Sequence, residues 1–362
     1  MLDIIKDNSI CDRYTPIKLD KIRRIIAIGD IHGDYDLAIK LLELGKVIKY
    51  NKNTDHIEWI GKDTYVVQTG DQLDGCRPVN GIPCYEEHKK GNIKKSDIRV
   101  LKMFTELDIK AQKHQGRVIS LLGNHEINNV LGIMKSASQD DIEYFSNYDK
   151  VKSGEITRID ERIRLFKPGQ EFGKFLGCSR LLFVIIGNNF FCHAGLIKPY
   201  IDKIIKKNET PINALTRVNE IFRHWLVTGE VKDNDLIKLT AGITDDKYGG
   251  DDNNISILWD RILGKINPGL DKNKGLCVKE FLPIMQMLNL ENMIIGHTPQ
   301  IFMNNDSING TCSDRLWRID NALSEAFDSL ITRSHKNKER KYQVLEIIND
   351  LEFKIISEKK MN

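Results

Sequence analysis

The chain has 362 residues, of which 41% are hydrophobic and 29% are charged, and its formal net charge is +3. These values describe a globular protein with enough residues to bury a large core. The small net charge excludes a nucleic-acid binder that relies on bulk positive charge. No stretch approaches the roughly 20 apolar residues of a membrane span. We therefore expect no nucleic acid and no membrane among the partners, and the oligomeric state stays open.

The seven cysteines are scattered along the chain and form no CxxC pair. Because their number is odd, one of them would stay unpaired in any complete disulfide scheme. A reducing compartment is the simplest interpretation. The N-terminus lacks the long apolar segment of a signal peptide, so we expect an intracellular, cytoplasmic protein.

Strand and helix patterns alternate in the first half of the chain. In chain order they predict a strand at 25–28, a helix at 36–44, a hairpin of 47–50 with 56–60, a strand at 65–69, a helix at 98–112 and a strand at 118–122. The later patterns predict a hairpin of 179–186 with 190–193, a helix at 211–227, a strand at 293–295 and a hairpin of 342–348 with 351–356. This mixture indicates an α/β protein built around packed sheets.

We interpret residues 1–362 as a single domain, because neither an internal repeat nor a proline-rich linker occurs. Its core would span about 24–325, with a C-terminal hairpin at 341–357. Two turn-rich segments, near 76–96 and 245–276, are predicted to be insertions. Each could be a loop beside the site that sets substrate choice, or a solvated excursion.

Residues that can bind metal ions follow five of the predicted strands. In chain order the five stretches are Gly-Asp-Ile-His-Gly at 29–33, Gly-Asp-Gln-Leu-Asp-Gly at 70–75, Gly-Asn-His-Glu at 123–126, Cys-His-Ala-Gly at 192–195 and Gly-His-Thr at 296–298. Strand ends are where α/β proteins build their sites. A lone Asp or His at such a position is usually structural, but five in this order predict a site for two metal ions.

The ligand types suggest how two ions would be shared. Asp30 and His32 can turn toward one ion, and Asp71 at the next strand end could bridge two. The second ion would be held by Asn124, His193 and His297. Mixed nitrogen and oxygen ligands suit Mn²⁺, Fe or Zn²⁺. We therefore expect two divalent metal ions, and Mn²⁺ is the leading candidate. Such a pair can generate a bridging hydroxide that attacks phosphorus in line.

His125 lies next to a predicted ligand without having to be one. It is placed to protonate the leaving-group oxygen as a general acid, a role typically worth about 10²–10⁴-fold in rate. Asp74 could accept the other ring N–H and so fix the tautomer. The sequence therefore predicts an acid pair of His125 and Asp74.

In their order and spacing, the five stretches resemble the signature of the calcineurin-like metallophosphoesterases. More narrowly, they are similar to the phosphoprotein phosphatase (PPP) branch, on its bacterial-type and diadenosine tetraphosphate hydrolase side. The resemblance covers roughly residues 24–325. It implies a central β-sandwich flanked by helices, with a dinuclear metal site at the strand ends. It also implies one metal on Asp30, His32 and Asp71, a second on Asp71, Asn124, His193 and His297, and the acid pair of His125 with Asp74.

The chain departs from the eukaryotic PPP pattern at two positions where that pattern has an arginine that binds the substrate phosphate. Gly75 and Leu122 stand at those positions. Arg77 lies two residues beyond Gly75 and could reach the same phosphate, and Arg261 resembles a further phosphate-contacting segment. A leucine at 122 is shared with the bacterial-type members and the dinucleotide hydrolases, so strict eukaryotic-type specificity is not implied.

Three functions are consistent with these motifs. The leading one is a metal-dependent phosphatase that hydrolyses phosphomonoesters, with phosphoserine or phosphothreonine in proteins as substrate; a small phosphorylated substrate is the other option. The runner-up is a dinucleoside polyphosphate hydrolase, which would use the same metals on an anhydride. The third is an inactive phosphoprotein-binding scaffold, which would be expected to have lost ligands.

Overall fold

The computed structural model describes residues 4–13, 15–86, 97–244, 247–248, 254–303, 305, 307–334 and 340–359. Its strands are β1 (Lys18–Leu19), β2 (Arg24–Ile28), β3 (Ile48–Asn51), β4 (His56–Trp59), β5 (Tyr65–Gln68), β6 (Arg117–Leu121), β7 (Arg180–Leu181), β8 (Phe183–Ile186), β9 (Asn189–Cys192), β10 (Ile243–Thr244), β11 (Lys247–Tyr248), β12 (Asn292–Ile295), β13 (Asn309–Thr311), β14 (Leu316–Arg318), β15 (Lys341–Ile348) and β16 (Glu352–Lys359).

The helices are α1 (Tyr35–Leu44), α2 (Asp97–Gln112), α3 (Asn124–Val130), α4 (Gln139–Glu143), α5 (Asp149–Lys152), α6 (Arg158–Phe166), α7 (Glu171–Ser179), α8 (Lys198–Ile204), α9 (Pro211–Thr228), α10 (Asn234–Ala241), α11 (Leu282–Leu288) and α12 (Asp328–Ser334). A π-helical turn at Cys277–Phe281 precedes α11. Over the part of the chain described, none of these helices combines the length and apolarity needed to cross a membrane.

Two six-stranded sheets form the centre of the described fold. The strand order is β1-β8-β9-β12-β14-β13 in one sheet and β16-β15-β2-β5-β6-β7 in the other. The middle strands β2, β5 and β6 are parallel to one another, and so are β9, β12 and β14. Because parallel strands end at the same edge of a sheet, each sheet brings three carboxyl ends together.

Side-chain alternation along the buried strands explains how the layers pack. In β2, Ile25 and Ala27 join the hydrophobic cluster that contains Phe190 of the other sheet. Ile26, from the same strand, joins a second cluster that contains Phe104 of α2. Successive side chains of a strand point to opposite faces, so one face packs on the opposite sheet and the other on helices. This architecture matches the expected sandwich flanked by helices.

Most predicted elements agree with the structure to within one or two residues, but the predicted strand at 179–186 is wrong. The chain there forms β7 in one sheet and, after Leu182, β8 in the other. Ser179 is the last residue of α7. A continuous apolar run does not report which sheet each residue joins, and therefore the crossing between sheets had no signal in the sequence.

The two predicted insertions lie only partly within the described residues. Residues 87–96, 245–246 and 249–253 lie outside them. Within the rest of the second segment, Leu258 and Asp260 are fully buried, whereas residues 271–276 are exposed. At the start of the first segment, a disulfide between Cys76 and Cys84 closes a short loop.

Six of the seven cysteines form disulfides. The pairs are Cys11–Cys178, Cys76–Cys84 and Cys277–Cys312, and the buried Cys192 is the free thiol. Disulfides form and persist in oxidising environments. The pairing removes the cysteine argument for a reducing compartment, and the Cys76–Cys84 pair is a structural cross-link.

A thiol count tests this pairing. Protein purified without reductant and then unfolded in denaturant should react with one equivalent of a thiol reagent, contributed by Cys192. Prior reduction should raise the count to seven. Seven equivalents in the unreduced sample would contradict the three disulfides and restore the original expectation.

Candidate metal centre

The predicted ligands come from the carboxyl ends of strands in both sheets. Asp30 and His32 follow β2, Asp71 follows β5, and Asn124 follows β6. From the opposite sheet, His193 follows β9 and His297 follows β12. All six side chains are buried. The sandwich therefore converges on a single polar cluster at one end.

The backbone leaves these strands through left-handed conformations. The φ angles are +48° at His32, +54° at Asp71, +70° at Asp74 and +63° at His297. This region costs a residue other than glycine on the order of 1–3 kcal/mol and is concentrated at functional sites. Four such residues in one cluster indicate that the surrounding structure holds the turns in place.

Asp71 is central to the cluster. Its Oδ2 lies 3.7 Å from His32 Nε2 and 3.9 Å from His125 Nε2, and its Oδ1 lies 3.4 Å from His193 Nε2. Two groups of possible metal ligands share it: His32, Asp71 and His125 in one, and Asp71, His193 and His297 in the other, each with its ligand atoms within 4.8 Å of one another. One carboxylate is thus positioned between two candidate cation positions.

Each of the three predicted histidine ligands is oriented by a backbone carbonyl. His32 Nδ1 lies 3.2 Å from the Leu73 oxygen, His193 Nδ1 lies 2.8 Å from the Thr69 oxygen, and His297 Nε2 lies 3.2 Å from the Trp259 oxygen. Because a carbonyl only accepts, the facing nitrogen carries the proton and the other nitrogen is left with a lone pair. Metal-bound histidines typically show this arrangement.

Asn124 completes the second group. Its Oδ1 lies 2.9 Å from both His193 Nε2 and His297 Nδ1. Burial, with Arg261 as the next cause, lowers the pKa of His297 well below its usual value. Burial and Arg77 do the same for the pKa of His32. Both imidazoles are therefore neutral near pH 7, as metal binding requires.

Glu126 holds the loop that carries Asp71. Its carboxylate accepts hydrogen bonds from the backbone N–H groups of Asp71 at 2.9 Å, Gln72 at 2.8 Å, Leu73 at 3.1 Å and Gly123 at 2.7 Å. Charge-assisted hydrogen bonds are the stronger class. The glycine is required, since a Cβ at 123 would collide with the backbone of Asp71. Glu126 is part of the Gly-Asn-His-Glu stretch, but the sequence alone did not predict this role.

His125 and Asp74 form a direct pair. His125 Nδ1 lies 2.6 Å from Asp74 Oδ2, and Asp74 is fully buried whereas the imidazole is 13% exposed. The His125 backbone N–H also donates to Asp71 Oδ1 at 2.9 Å. The imidazole therefore has one nitrogen anchored to Asp74 and the other near Asp71, at the accessible edge of the cluster.

The sequence missed one carboxylate of the cluster, Asp320. It follows β14, and its buried Oδ2 has no hydrogen-bond partner among the residues that the structure describes. Burial raises the pKa of Asp320 to about 6, and Asp71 adds to the rise. Burial and Asp320 likewise raise the pKa of Asp30 well above its usual value. The signal in the sequence was an Asp two residues after the strand Leu-Trp-Arg. This strand is hard to recognise because its last residue is charged.

The two arginines proposed from the sequence contact different histidines of the cluster. Arg77 Nη2 approaches His32 Nε2 to 2.6 Å, and its guanidinium stacks on the Phe327 ring at 4.4 Å. Arg261 Nη1 donates to the His297 carbonyl oxygen at 3.2 Å. Each candidate ligand group therefore has one arginine beside it.

Taken together, these side chains fit two divalent cations. The donors are carboxylate and amide oxygens and imidazole nitrogens, a set suited to Mn²⁺, Fe or Zn²⁺. Asp30 and Asp320 are buried carboxylates that repel each other, and the unpartnered Asp320 oxygen marks a local excess of negative charge. The guanidinium of Arg77 lies against His32, so this part of the cluster accommodates a positive charge.

Comparison with known proteins agrees with this geometry. Residues 23–301 match the family described as Calcineurin-like phosphoesterase. A protein of Acanthamoeba polyphaga mimivirus with no assigned function is 36% identical over 259 residues, covering 69% of this chain and 96% of the relative.

Two further relatives carry functional names. Shewanella-like protein phosphatase 2 of Arabidopsis thaliana is 23% identical, with 88% of this chain and 76% of the relative covered. Shewanella-like protein phosphatase 1 of Plasmodium berghei is 27% identical, with 88% and 71% covered. The crystal structure of a cold-active protein-tyrosine phosphatase of Shewanella superposes with a TM-score of 0.58 at 17% identity, over 97% of this chain and 85% of that chain. The last likeness establishes a shared fold.

Asp71→Asn tests the shared position of this carboxylate. The change removes the negative charge and replaces one of the two acceptor oxygens with an NH₂ group at nearly unchanged size, so we expect loss of affinity at both cation positions and not at one. Isothermal titration of the chelated protein with Mn²⁺ should show two sites in the native chain and weak or no binding in the variant. Asp202→Asn, at an exposed carboxylate paired with Lys198, is the control. Retention of one tight site in Asp71→Asn would contradict a shared ligand.

Proposed function

We propose that this chain, which belongs to the calcineurin-like phosphoesterase family, is a metal-dependent phosphatase that hydrolyses phosphomonoesters, with phosphoserine and phosphothreonine of proteins as its substrates. The observation that carries the proposal is the pair of ligand groups sharing Asp71, with the His125–Asp74 pair at their edge. The relatives named protein phosphatases support a protein substrate.

The metal ions would be held by the side chains already described. Asp30, His32 and Asp71 would bind one, and Asp71, Asn124, His193 and His297 the other. When bound, two such ions supply Lewis acidity and a nucleophilic water for attack on phosphorus. The chain itself fixes the donor atoms before any ligand arrives, because carbonyl oxygens select the histidine tautomers and Glu126 holds the Asp71 loop.

His125 would act as the general acid. Its Nε2 would donate a proton to the oxygen of the departing serine or threonine, while Asp74 keeps Nδ1 protonated and holds the ring plane. Alkoxide leaving groups are strongly basic, so their departure depends on such a proton. The accessible edge of His125 and the burial of Asp74 suit these two roles.

Arg77 and Arg261 would bind the substrate phosphate. Arg77 Nη1 donates to the Asp74 and Cys76 carbonyl oxygens at 3.3 and 3.0 Å, so the guanidinium is tethered beside His32. Arg261 lies next to His297. A phosphate between them would meet one guanidinium at each end, and guanidinium matches phosphate geometry well. Leu122 is buried and does not contribute.

A substrate panel tests the proposal against its alternatives. With Mn²⁺, purified protein should release phosphate from phosphoserine and phosphothreonine peptides and leave diadenosine tetraphosphate intact. Cleavage of the dinucleotide without peptide dephosphorylation would instead identify a dinucleoside polyphosphate hydrolase. A preference for phosphotyrosine would overturn the Ser/Thr assignment, and peptide binding without turnover with any of Mn²⁺, Zn²⁺ or Fe²⁺ would indicate a scaffold.

His125→Asn tests the acid. Removing a general acid should lower kcat by at least about a hundredfold on phosphoserine peptides, with Mn²⁺ stoichiometry unchanged because His125 is not one of the proposed ligands. His224→Asn, at a histidine on α9 that pairs with Glu230, should keep full activity. A fully active His125→Asn protein would remove this residue from the mechanism, and a variant without bound metal would make it a ligand.

A further inference from the structure

Arg162 is a fully buried cation that none of the roles above explains. It lies on α6, where its neighbours Arg158 and Arg164 are at the surface. Its guanidinium is 5.0 Å from the centroid of the Phe166 ring and 5.8 Å from that of Phe145. Burying a charge is costly unless it is paired and hydrogen-bonded, so the contacts of Arg162 are informative.

The guanidinium bonds two side chains. It forms a bidentate pair with Asp97, with Nη2 at 2.6 Å from Oδ2 and Nη1 at 3.1 Å from Oδ1. Its Nε donates to Asn129 Oδ1 at 2.8 Å. Burial alone would lower the pKa of Arg162, but Asp97 raises it above its usual value. The residue is therefore a fixed, permanently charged donor.

Both partners of Arg162 also contact Asp74. Asp97 Oδ2 accepts the Asp74 backbone N–H at 3.1 Å. Asn129 Nδ2 donates to Asp74 Oδ1 at 2.9 Å and to the His125 carbonyl oxygen at 2.9 Å. Arg162 Nη2 itself lies 3.7 Å from Asp74 Oδ1. The carboxylate that anchors His125 is thus held on one side by the imidazole and on the other by groups that Arg162 orients.

The direction of these hydrogen bonds depends on Arg162. An asparagine side chain can present either its oxygen or its NH₂ group to a neighbour, whereas a guanidinium only donates. Arg162 therefore forces Oδ1 of Asn129 toward itself and turns the NH₂ group toward Asp74. Without Arg162, the Asn129 oxygen would lose the donor that faces it, and only the Asp74 and His125 oxygens would orient the amide, so the hold on the Asp74 side chain would weaken.

The charged groups around this network belong to several elements. Asp97 begins α2, Asp141 lies on α4, Asp74 follows β5, and Arg162 is the cation that faces all three. Asp141 Oδ2 accepts the Gly75 backbone N–H at 3.1 Å, and its Oδ1 accepts that of Asp97 at 3.0 Å. Arg162 thus acts on the Asp74–Gly75 turn through Asp97 and Asn129, whereas it meets Asp141 only at the main-chain oxygen, to which Nη1 donates at 3.4 Å.

We propose that Arg162 is a positioning residue for the acid step: through Asn129 and Asp97 it holds Asp74, and through Asp74 it holds the imidazole of His125. This inference rests on the proposed function, since it gives Arg162 its role through the general acid. Among the described residues, Arg162 contacts none of the six proposed metal ligands. Its effect must therefore appear only in steps that need His125.

A double-mutant cycle tests this dependence. Arg162→Lys keeps a positive charge for Asp97, but its single ammonium cannot bond Asp97 and Asn129 together. We expect it to lower kcat on phosphoserine peptides about tenfold or more, and to have almost no further effect in a His125→Asn background, because residues acting as a unit are not additive. Arg164→Lys, the same change two residues away, is the control. Equal losses in both backgrounds would overturn the proposal.

Leaving-group dependence gives a second kinetic criterion. A good leaving group such as 2,4-dinitrophenolate departs without a proton, whereas phenolate needs one. Arg162→Lys should therefore slow phenyl phosphate hydrolysis about tenfold and leave 2,4-dinitrophenyl phosphate hydrolysis nearly unchanged, with Mn²⁺ affinity as in the native chain. A general distortion would slow both esters alike, which would contradict the inference.

A spectroscopic measurement separates this inference from the proposed function. In the Zn²⁺-loaded protein at alkaline pH, ¹⁵N shifts of the His125 ring should report Nδ1 protonated in the native chain and a mixture of tautomers in Arg162→Lys. Asn129→Ala, which keeps the Arg162–Asp97 pair, should give the same mixture even if Arg162→Lys does not fold. These results stand whether or not the protein hydrolyses phosphoesters. An unchanged tautomer in both variants would reject the role of Arg162.

Discussion

The position of the Asp71 carboxylate is the constraint on which the centre depends. Its two oxygens face different histidines, so a rotation of the side chain or a shift of its loop would separate the two ligand groups. A left-handed φ of +54° and the four backbone hydrogen bonds to Glu126 oppose such a shift. The buried carboxylate of Glu126 thus offsets the strain of this turn, and it has no other role in the described structure.

The two sheets contribute different parts of the centre, and neither contains it alone. The sheet with β2, β5 and β6 supplies Asp30, Asp71 and the His125–Asp74 pair, and the opposite sheet supplies His193 and His297. The packing of the sheets therefore sets the distance between the ligand groups. Because protein interiors pack densely and deform little, the hydrophobic cluster between the sheets serves function as directly as the polar residues do.

The sequence predicted those parts of the structure that depend on local pattern. Strand ends followed by Asp, His or Asn were recognisable, and the structure brings these side chains together at one end of the sandwich. Asp320 was missed because its strand is three residues long and ends in Arg318, and Arg162 because a polar helix offers no periodic signal for a buried arginine. The crossing at Leu182 and the disulfide pairs depend on long-range packing, which a single sequence does not record.

The buried carboxylates differ in how their charge is compensated, and this difference indicates what each one does. Glu126 accepts four backbone N–H groups, Asp141 accepts three, and Asp97 is paired with Arg162. Asp320 differs, because its buried Oδ2 has no hydrogen-bond partner among the described residues. Buried charges are normally paired or coordinate metals. The first three carboxylates are satisfied within the protein and are therefore structural, whereas the open oxygen of Asp320 fits an external cation, as a metal centre would supply.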